Sequence, residues 1–291
     1  MTGLLAYLGL RLGVGLVGLL PGSLARRLGG LGGRLWHRFD PRRRSMARRH
    51  MTRVLGDPVE AADAARSVME SYGRYWAEAL WIRQNRVTDL IAHTRVEGLE
   101  HITNARDHGK GMIYGLPHMG NWEAAAPVAG DQGVPVVAVA ENLPNRRITG
   151  WFTSMRAKFG IEIVLATGSM EVMRRLESAL GQNKAVALLS DRDLRGRGVA
   201  VEFFGERTTL PAGAATLALK TGAPLLPVAP YFEDGGHRVV IRPPIPVPNV
   251  GSRSEQVRAM TQALAIEMED LIRANPRQWH LVQPNWPSDL V

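Results

Sequence analysis

Two periodicities divide this chain. Over residues 1–93, apolar positions recur at helical spacing; from 94 onward, short apolar runs of strand length alternate with helical stretches. In the first part, SMARRHMTRVLG reads as a short helix closed by Gly56. Pro58 then opens a long helix through VEAADAARSVMESYGRYWAEALWIR, with Val68, Met69, Tyr72, Trp76 and Leu80 on one stripe. That aromatic stripe is core by its spacing.

In the second part, TRVEG, GMIYGL, VPVVAVA, IEIVLA, KAVALLS and VAVEFFG read as strands. Between them, LEHITNARDHG, residues 121–132, NRRITGWFTSMRAKFG, SMEVMRRLESALGQ and PAGAATLALKTG read as helices. APLLPVAPYFE and HRVVIRPP read as paired strands, and SEQVRAMTQALAIEMEDLIRAN as a long last helix. The alternation predicts an α/β fold, a mixed and mostly parallel central sheet flanked by helices. Residues 1–93 form a helical, membrane-associating cap, and 94–291 an α/β core that makes one domain with it.

The cap carries the most unusual pattern. Residues 4–20, LLAYLGLRLGVGLVGLL, are mostly apolar and as a helix would span about 25 Å, short of a hydrocarbon core. Arg11 sits in the middle, five glycines lie between Gly3 and Gly18, and no positive charge precedes the run, which argues against a secretory signal. Leu5, Leu8, Leu12, Leu16 and Leu19 share one stripe. That stripe either packs on the protein's own core or lies in a membrane surface.

Charge favours the second reading. The net charge is +9, and ten arginines against one acid, Asp40, fall between Arg26 and Arg53. A basic block directly after an apolar segment suits anionic headgroups; no recognition-helix or RNA-binding motif accompanies it, so no nucleic acid partner is expected. The chain has no cysteine, which excludes disulfides, a cysteine nucleophile and thiolate metal sites. It suits a reducing compartment, and the predicted location is peripheral, on the cytoplasmic face of the plasma membrane.

Candidate chemistry begins in LPHMGNWE, residues 116–123, just past the strand GMIYGL. Reactive groups gather at the carboxyl ends of strands in open α/β sheets. The pair His118 and Glu123 has two readings. Asn121 is a good N-cap and Glu123 falls in the first helical turn, where a carboxylate is favoured, so both residues can be simple helix-start residues. Alternatively, Glu123 accepts from one imidazole nitrogen and leaves the other basic, the arrangement of a base and its orienting group. No serine sits in a G-x-S-x-G elbow, so the nucleophile in that reading is the substrate's own hydroxyl. Backbone N–H groups from Gly120 to Trp122 would then face a developing oxyanion. The spacing is not H-E-x-x-H, and no metal or cofactor is expected.

PHMGNWE resembles the H-x4-D/E signature of the glycerolipid acyltransferase superfamily, in the form seen in the lipid A late acyltransferase family. SDRD (190–193), FFGERTTLPAG (203–213) and LALKTGAPLLPV (217–228) resemble that family's later blocks in the same order. Across its whole length, including the N-terminus, the chain also resembles the actinobacterial branch that acylates phosphatidylinositol mannosides. The resemblance implies direct transfer of an acyl group from acyl-CoA, palmitoyl-CoA in that branch, to a sugar hydroxyl of a phosphatidylinositol mannoside acceptor. His118 would be the general base and Glu123 its orienting partner.

Further candidates lie at other strand ends. Glu141 ends VPVVAVAE and reads either as a hydroxyl ligand or as a loop residue paired with Arg146 or Arg147. Arg156, in SMRAKFG, reads as a substrate-anion or Glu141 partner, or as surface charge. Asp191, Arg192 and Asp193 follow KAVALLS and read as a cleft rim, with Arg192 for phosphate and the aspartates for hydroxyls, or as an internal salt-bridge cluster. Phe204 reads as an acyl-groove or core residue, and Thr209 as a substrate contact in the same block. His280, between Trp279 and the apolar tail, reads as structural.

Overall fold

The computed structural model describes residues 2–82, 86–167, 170–194, 196–249 and 251–290. Its first part is helical: α1 (Thr2–Leu19), α2 (Gly22–Phe39), α3 (Pro41–Leu55), α4 (Pro58–Trp81) and α5 (Val87–Ala92). The boundaries follow local chemistry. Asp40 accepts the Arg43 N–H ahead of Pro41, and Asp57 accepts those of Val59 and Glu60 ahead of Pro58, so each aspartate caps a helix that a proline opens. Gly56 ends α3 in the left-handed conformation.

Helices α2 and α4 approach so closely that small residues are required. A Cβ at Gly33 would lie 2.0 Å from the Met69 carbonyl oxygen, and one at Gly73 would lie 2.2 Å from that of Gly29. The apolar stripe of α1 faces outward instead, with Leu5, Leu8, Leu12, Leu16 and Leu19 between 52% and 80% exposed. Leu24, Leu28, Leu31 and Leu35 extend it along α2. This pattern is opposite to that of a helix packed on its own core. Among the described residues, no helix is long and apolar enough to cross a membrane.

The second part is a seven-stranded sheet built from β1 (Thr94–Glu97), β2 (Met112–Leu116), β3 (Val136–Glu141), β4 (Ile161–Ala166), β5 (Ala185–Leu189), β8 (Leu225–Glu233) and β9 (Gly236–Ile241). Its order is β1-β9-β8-β2-β5-β3-β4, parallel at every junction except β8–β9. Helices α6 (Leu99–His108), α7 (Trp122–Asp131), α8 (Arg146–Ala157), α9 (Met170–Gly181), α10 (Gly213–Thr221) and α11 (Arg253–Ala274) flank it. The mixed, mostly parallel sheet predicted by the alternating pattern is therefore the observed fold. Strand β2 lies in the middle with all five residues buried, as a strand covered on both faces must be.

One element differs from the sequence reading. VAVEFFG was expected as a single strand, but β6 (Val199–Phe203) returns through β7 (Glu206–Leu210) as a separate antiparallel hairpin. The turn is Phe204-Gly205, both at positive φ (51° and 72°), the geometry of a two-residue hairpin turn. A phenylalanine rarely occupies that region, so the sequence carries no usual turn signal. Here its N–H donates to Glu269 Oε1 at 2.7 Å and its ring packs on Phe203 and Trp279.

Candidate active site

The site forms where β2 and β5 end side by side. Their register pairs Leu116 with Leu189, and the Ser190 N–H donates to the Leu116 carbonyl at 2.8 Å. The residues that follow each strand therefore meet: His118 after β2 and Asp191 after β5. Asp191 is fully buried. Its Oδ1 accepts His118 Nδ1–H at 2.6 Å, and its Oδ2 accepts the His118 backbone N–H at 2.8 Å and Trp279 Nε1–H at 2.8 Å. Burial pushes this carboxyl up, but the imidazole beside it and the converging donors outweigh burial and hold it below the usual aspartate range. With Nδ1–H donated inward, Nε2 is the acceptor nitrogen; it makes no hydrogen bond to a described residue, and the side chain is 30% exposed.

The carboxylate on the imidazole is thus Asp191, where the sequence reading expected Glu123 as the orienting partner. The correction has a geometric cause. Asn121 caps α7, its Oδ1 accepting the Ala124 N–H, so the chain changes direction between His118 and Glu123. Glu123 sits in the first turn of α7 and faces α4 and α8. It binds Arg156 through two nitrogens, at 3.1 and 2.5 Å, and accepts Tyr75 O–H at 3.2 Å. Burial, then the Glu123 charge, drives the Tyr75 phenol well above its ordinary range, so it stays a donor. Arg156 accordingly pairs with Glu123 and not with Glu141.

The loop between the two motif residues is fixed by the tail of the chain. Met119 bridges antiparallel to Trp279, the Gly120 N–H donates to the Gln278 carbonyl at 3.0 Å, and the His280 N–H donates to the His118 carbonyl at 2.6 Å. The Gly120 N–H is therefore already used and is not an oxyanion donor, contrary to the expectation from sequence. Gly120 sits at φ 55°, and a Cβ there would lie 2.0 Å from the Pro230 carbonyl oxygen, so only glycine fits. The buried His280 ring lies among Tyr72, Tyr75 and Trp122 and meets Ser71 Oγ through Nε2 at 2.9 Å. Burial, with the nearby His118, lowers its pKa to about 3, so it is neutral.

The remaining candidates divide. Arg192 is half-buried, makes no hydrogen bond to a described residue, and lies in the fields of Asp191, Glu141 and Tyr72. Glu141 is exposed at the end of β3 on the same side of the sheet. Both remain at the rim of the site. Asp193 and Thr209 are brought together, but with each other: Asp193 Oδ2 accepts Thr209 Oγ1–H at 2.9 Å and the Gly198 N–H at 2.6 Å, tying Asp193 to the hairpin. Phe204 backs Trp279 and acts on the site through it.

Sequence reasoning missed Trp279, Tyr75 and Asn285, whose Nδ2 donates to the Asp191 carbonyl at 3.0 Å. The aromatic density of the tail WHLVQPNWP was the one available signal. Among the described residues, no group of three or more histidines and acids could hold a metal ion.

Residues 2–288 match the family described as bacterial lipid A biosynthesis acyltransferase. The phosphatidylinositol mannoside acyltransferase of Mycolicibacterium smegmatis is 34% identical over 100% of this chain and 94% of its own length. That of Mycobacterium tuberculosis (strain H37Rv) is 35% identical over 84% of this chain and 77% of its own. A lipid A biosynthesis acyltransferase of Haemophilus influenzae is 27% identical over 62% of this chain and 55% of its own. A match over nearly every residue of the chain places this protein in the bacterial lipid A biosynthesis acyltransferase family.

Proposed function

We propose that this protein moves a long-chain acyl group, palmitoyl in the first instance, from acyl-CoA to a phosphatidylinositol mannoside. The acceptor is the 6-hydroxyl of the mannose on the 2-position of inositol, and the reaction occurs on the cytoplasmic face of the plasma membrane. The observation that carries the reading is the His118–Asp191 pair at the carboxyl end of the sheet, in a chain alignable end to end with a relative of that name.

His118 Nε2 takes the acceptor hydroxyl proton as the oxygen attacks the thioester carbonyl carbon. Asp191 keeps the other proton on Nδ1 and stabilises the imidazolium. The oxyanion that forms on the carbonyl oxygen meets the first amide N–H groups of α7, Trp122 and Glu123, where the helix dipole favours negative charge. Collapse of the tetrahedral species breaks the carbon–sulfur bond, and the CoA thiolate leaves with the proton held on Nε2. Arg192 and Glu141, at the rim, serve as contacts to substrate phosphate and hydroxyls. The exposed leucines of α1 and α2, with the arginines that follow, lay the protein on an anionic membrane surface where the acceptor resides.

The test is transfer of radiolabelled palmitoyl from palmitoyl-CoA to a panel of phosphatidylinositol mannosides, a lipid A precursor and a lysophospholipid. Transfer to the mannosides, lost by about 10²–10⁴-fold in His118→Ala, is expected. No transfer to any acceptor by folded protein, or full activity of His118→Ala, refutes the reading. Preference for the lipid A precursor, favoured by the Haemophilus influenzae relative's name, would leave the chemistry and replace the acceptor.

A further inference from the structure

The two oxygens of the buried Asp191 carboxylate have different surroundings. Among the described residues, Oδ1 accepts from the imidazole of His118, at 2.6 Å. Oδ2 lies between two N–H donors from distant parts of the chain, the His118 amide and the indole of Trp279, each at 2.8 Å. Of these three donors, the indole alone is not part of His118. It arrives from the tail, 88 residues beyond the aspartate.

Trp279 is held in place through both its backbone and its ring. The backbone bridges antiparallel to Met119, beside the histidine. The ring is fully buried: Phe203 meets it edge-on with centroids 6.1 Å apart, Phe204 lies at 5.6 Å, and His50 stacks on it at 5.6 Å. The two His50 nitrogens are engaged elsewhere, with the Leu281 carbonyl and Asp289. An indole only donates, so its contact with Oδ2 has one possible direction. A hydrogen bond to a carboxylate stabilises the charged form and makes it a weaker base. A weaker base pulls less strongly on the Nδ1–H that it shares with the imidazole. The other ionisable groups near the pair are Arg192, in the field of Asp191, and the neutral His280, in the fields of His118 and Asp191.

We propose that Trp279 is a positioning residue: its indole N–H pins the plane of the Asp191 carboxylate so that Oδ1 faces Nδ1, and moderates the pull of that carboxylate on His118, which sets how basic Nε2 is. The inference rests on the proposed function for what His118 does to substrate, and not for the hydrogen bonds themselves.

The test removes the N–H and keeps the ring. Benzothienylalanine incorporated at position 279 puts sulfur in place of the indole N–H, and Trp279→Phe is the simpler companion. Trp286→Phe is the structural control, because that indole is buried in the same aromatic cluster but donates to the Phe203 carbonyl, at 3.1 Å. Each full-length variant is checked for folding by circular dichroism. The readouts are the His118 Nδ1–H proton resonance, followed without substrate, and the pH profile of kcat/KM for palmitoyl transfer. Both replacements at 279 should move the resonance downfield, as the imidazole takes up the carboxylate charge that the indole had shared. The acid limb of the profile should move up by about 0.5–1 pH unit. Trp286→Phe should melt earlier and move neither. A resonance that is unmoved or moves upfield in the benzothienylalanine protein, or that moves equally in Trp286→Phe, overturns the assignment. An acid limb that stays in place overturns the effect on basicity. If the parent protein transfers no acyl group at all, the proposed function fails, and the resonance still decides this inference.

Discussion

Asp191→Asn separates the proposed His118–Asp191 relay from the one that the motif suggests. The native carboxylate accepts three hydrogen bonds, one from the imidazole on Oδ1 and two, from the His118 and Trp279 N–H groups, on Oδ2. A carboxamide has a single oxygen acceptor, and its nitrogen only donates. Turning the nitrogen toward Oδ2's place sets it against two fixed donors; turning it toward the imidazole sets it against one. The second arrangement wins, and it is relieved when His118 moves its proton from Nδ1 to Nε2. The base is then already protonated on the nitrogen that must accept. Losing general-base catalysis costs about 10²–10⁴-fold in kcat, or about 3–5 kcal/mol of barrier.

The assay is single-turnover palmitoyl transfer, with ring-nitrogen NMR of His118 to read the tautomer. Glu123→Gln is the control, because that carboxylate touches Arg156 and Tyr75 and not the imidazole. It should melt earlier, a broken buried pair costing about 3 kcal/mol, yet retain the Nδ1–H tautomer. If Asp191→Asn stays within a few-fold of the parent while Glu123→Gln moves the tautomer, the assignment of the relay is wrong.

Three further outcomes follow from the structure. Gly33→Ala puts a methyl 2.0 Å from the Met69 carbonyl and should destabilise by about 1–3 kcal/mol or more in chemical denaturation, whereas Gly32→Ala, with nothing within 4 Å, should stabilise by a few tenths to about 1 kcal/mol. Leu8→Glu, Leu12→Glu and Leu16→Glu combined should abolish flotation with anionic vesicles and leave the melting temperature nearly unchanged, since these side chains touch solvent and not the core. His280 has its folded pKa lowered to about 3, so below the ordinary histidine range the unfolded chain binds a proton that the folded chain does not. Stability should therefore fall as the pH drops from about 6.5 toward 3, by at most about 1.4 kcal/mol per pH unit from this group. His280→Gln should flatten that slope in denaturant titrations at pH 7, 6 and 5; an unchanged slope refutes it.

The motif LPHMGNWE shows how far a sequence can be read. That His118 follows a buried strand and precedes a capped helix is local: five apolar residues, a glycine that alone fits its φ, and an asparagine able to cap. What Glu123 touches is not local. Two residues five apart across a turn and a helix start point to different neighbours, and which ones depends on how α4 and α8 pack. The hairpin turn at Phe204-Gly205 was hidden for a similar reason, since a phenylalanine at positive φ is held there by Glu269 and Trp279, residues far along the chain.

By itself, then, the sequence determined the alternation of strands and helices, the mostly parallel class of the sheet, the leucine stripe with the arginines that follow it, and the family motif. Each of these is written in periodicity or in short runs of residue types, which local backbone geometry and burial read directly. Only the tertiary structure decided that Asp191, 73 residues away, serves His118, that the chain's tail clamps the motif loop, and that Glu123 belongs to Arg156 and Tyr75. Parallel strands adjacent in the sheet are distant in sequence, so a site at their carboxyl ends is assembled by the strand order, and no spacing along the chain encodes that order.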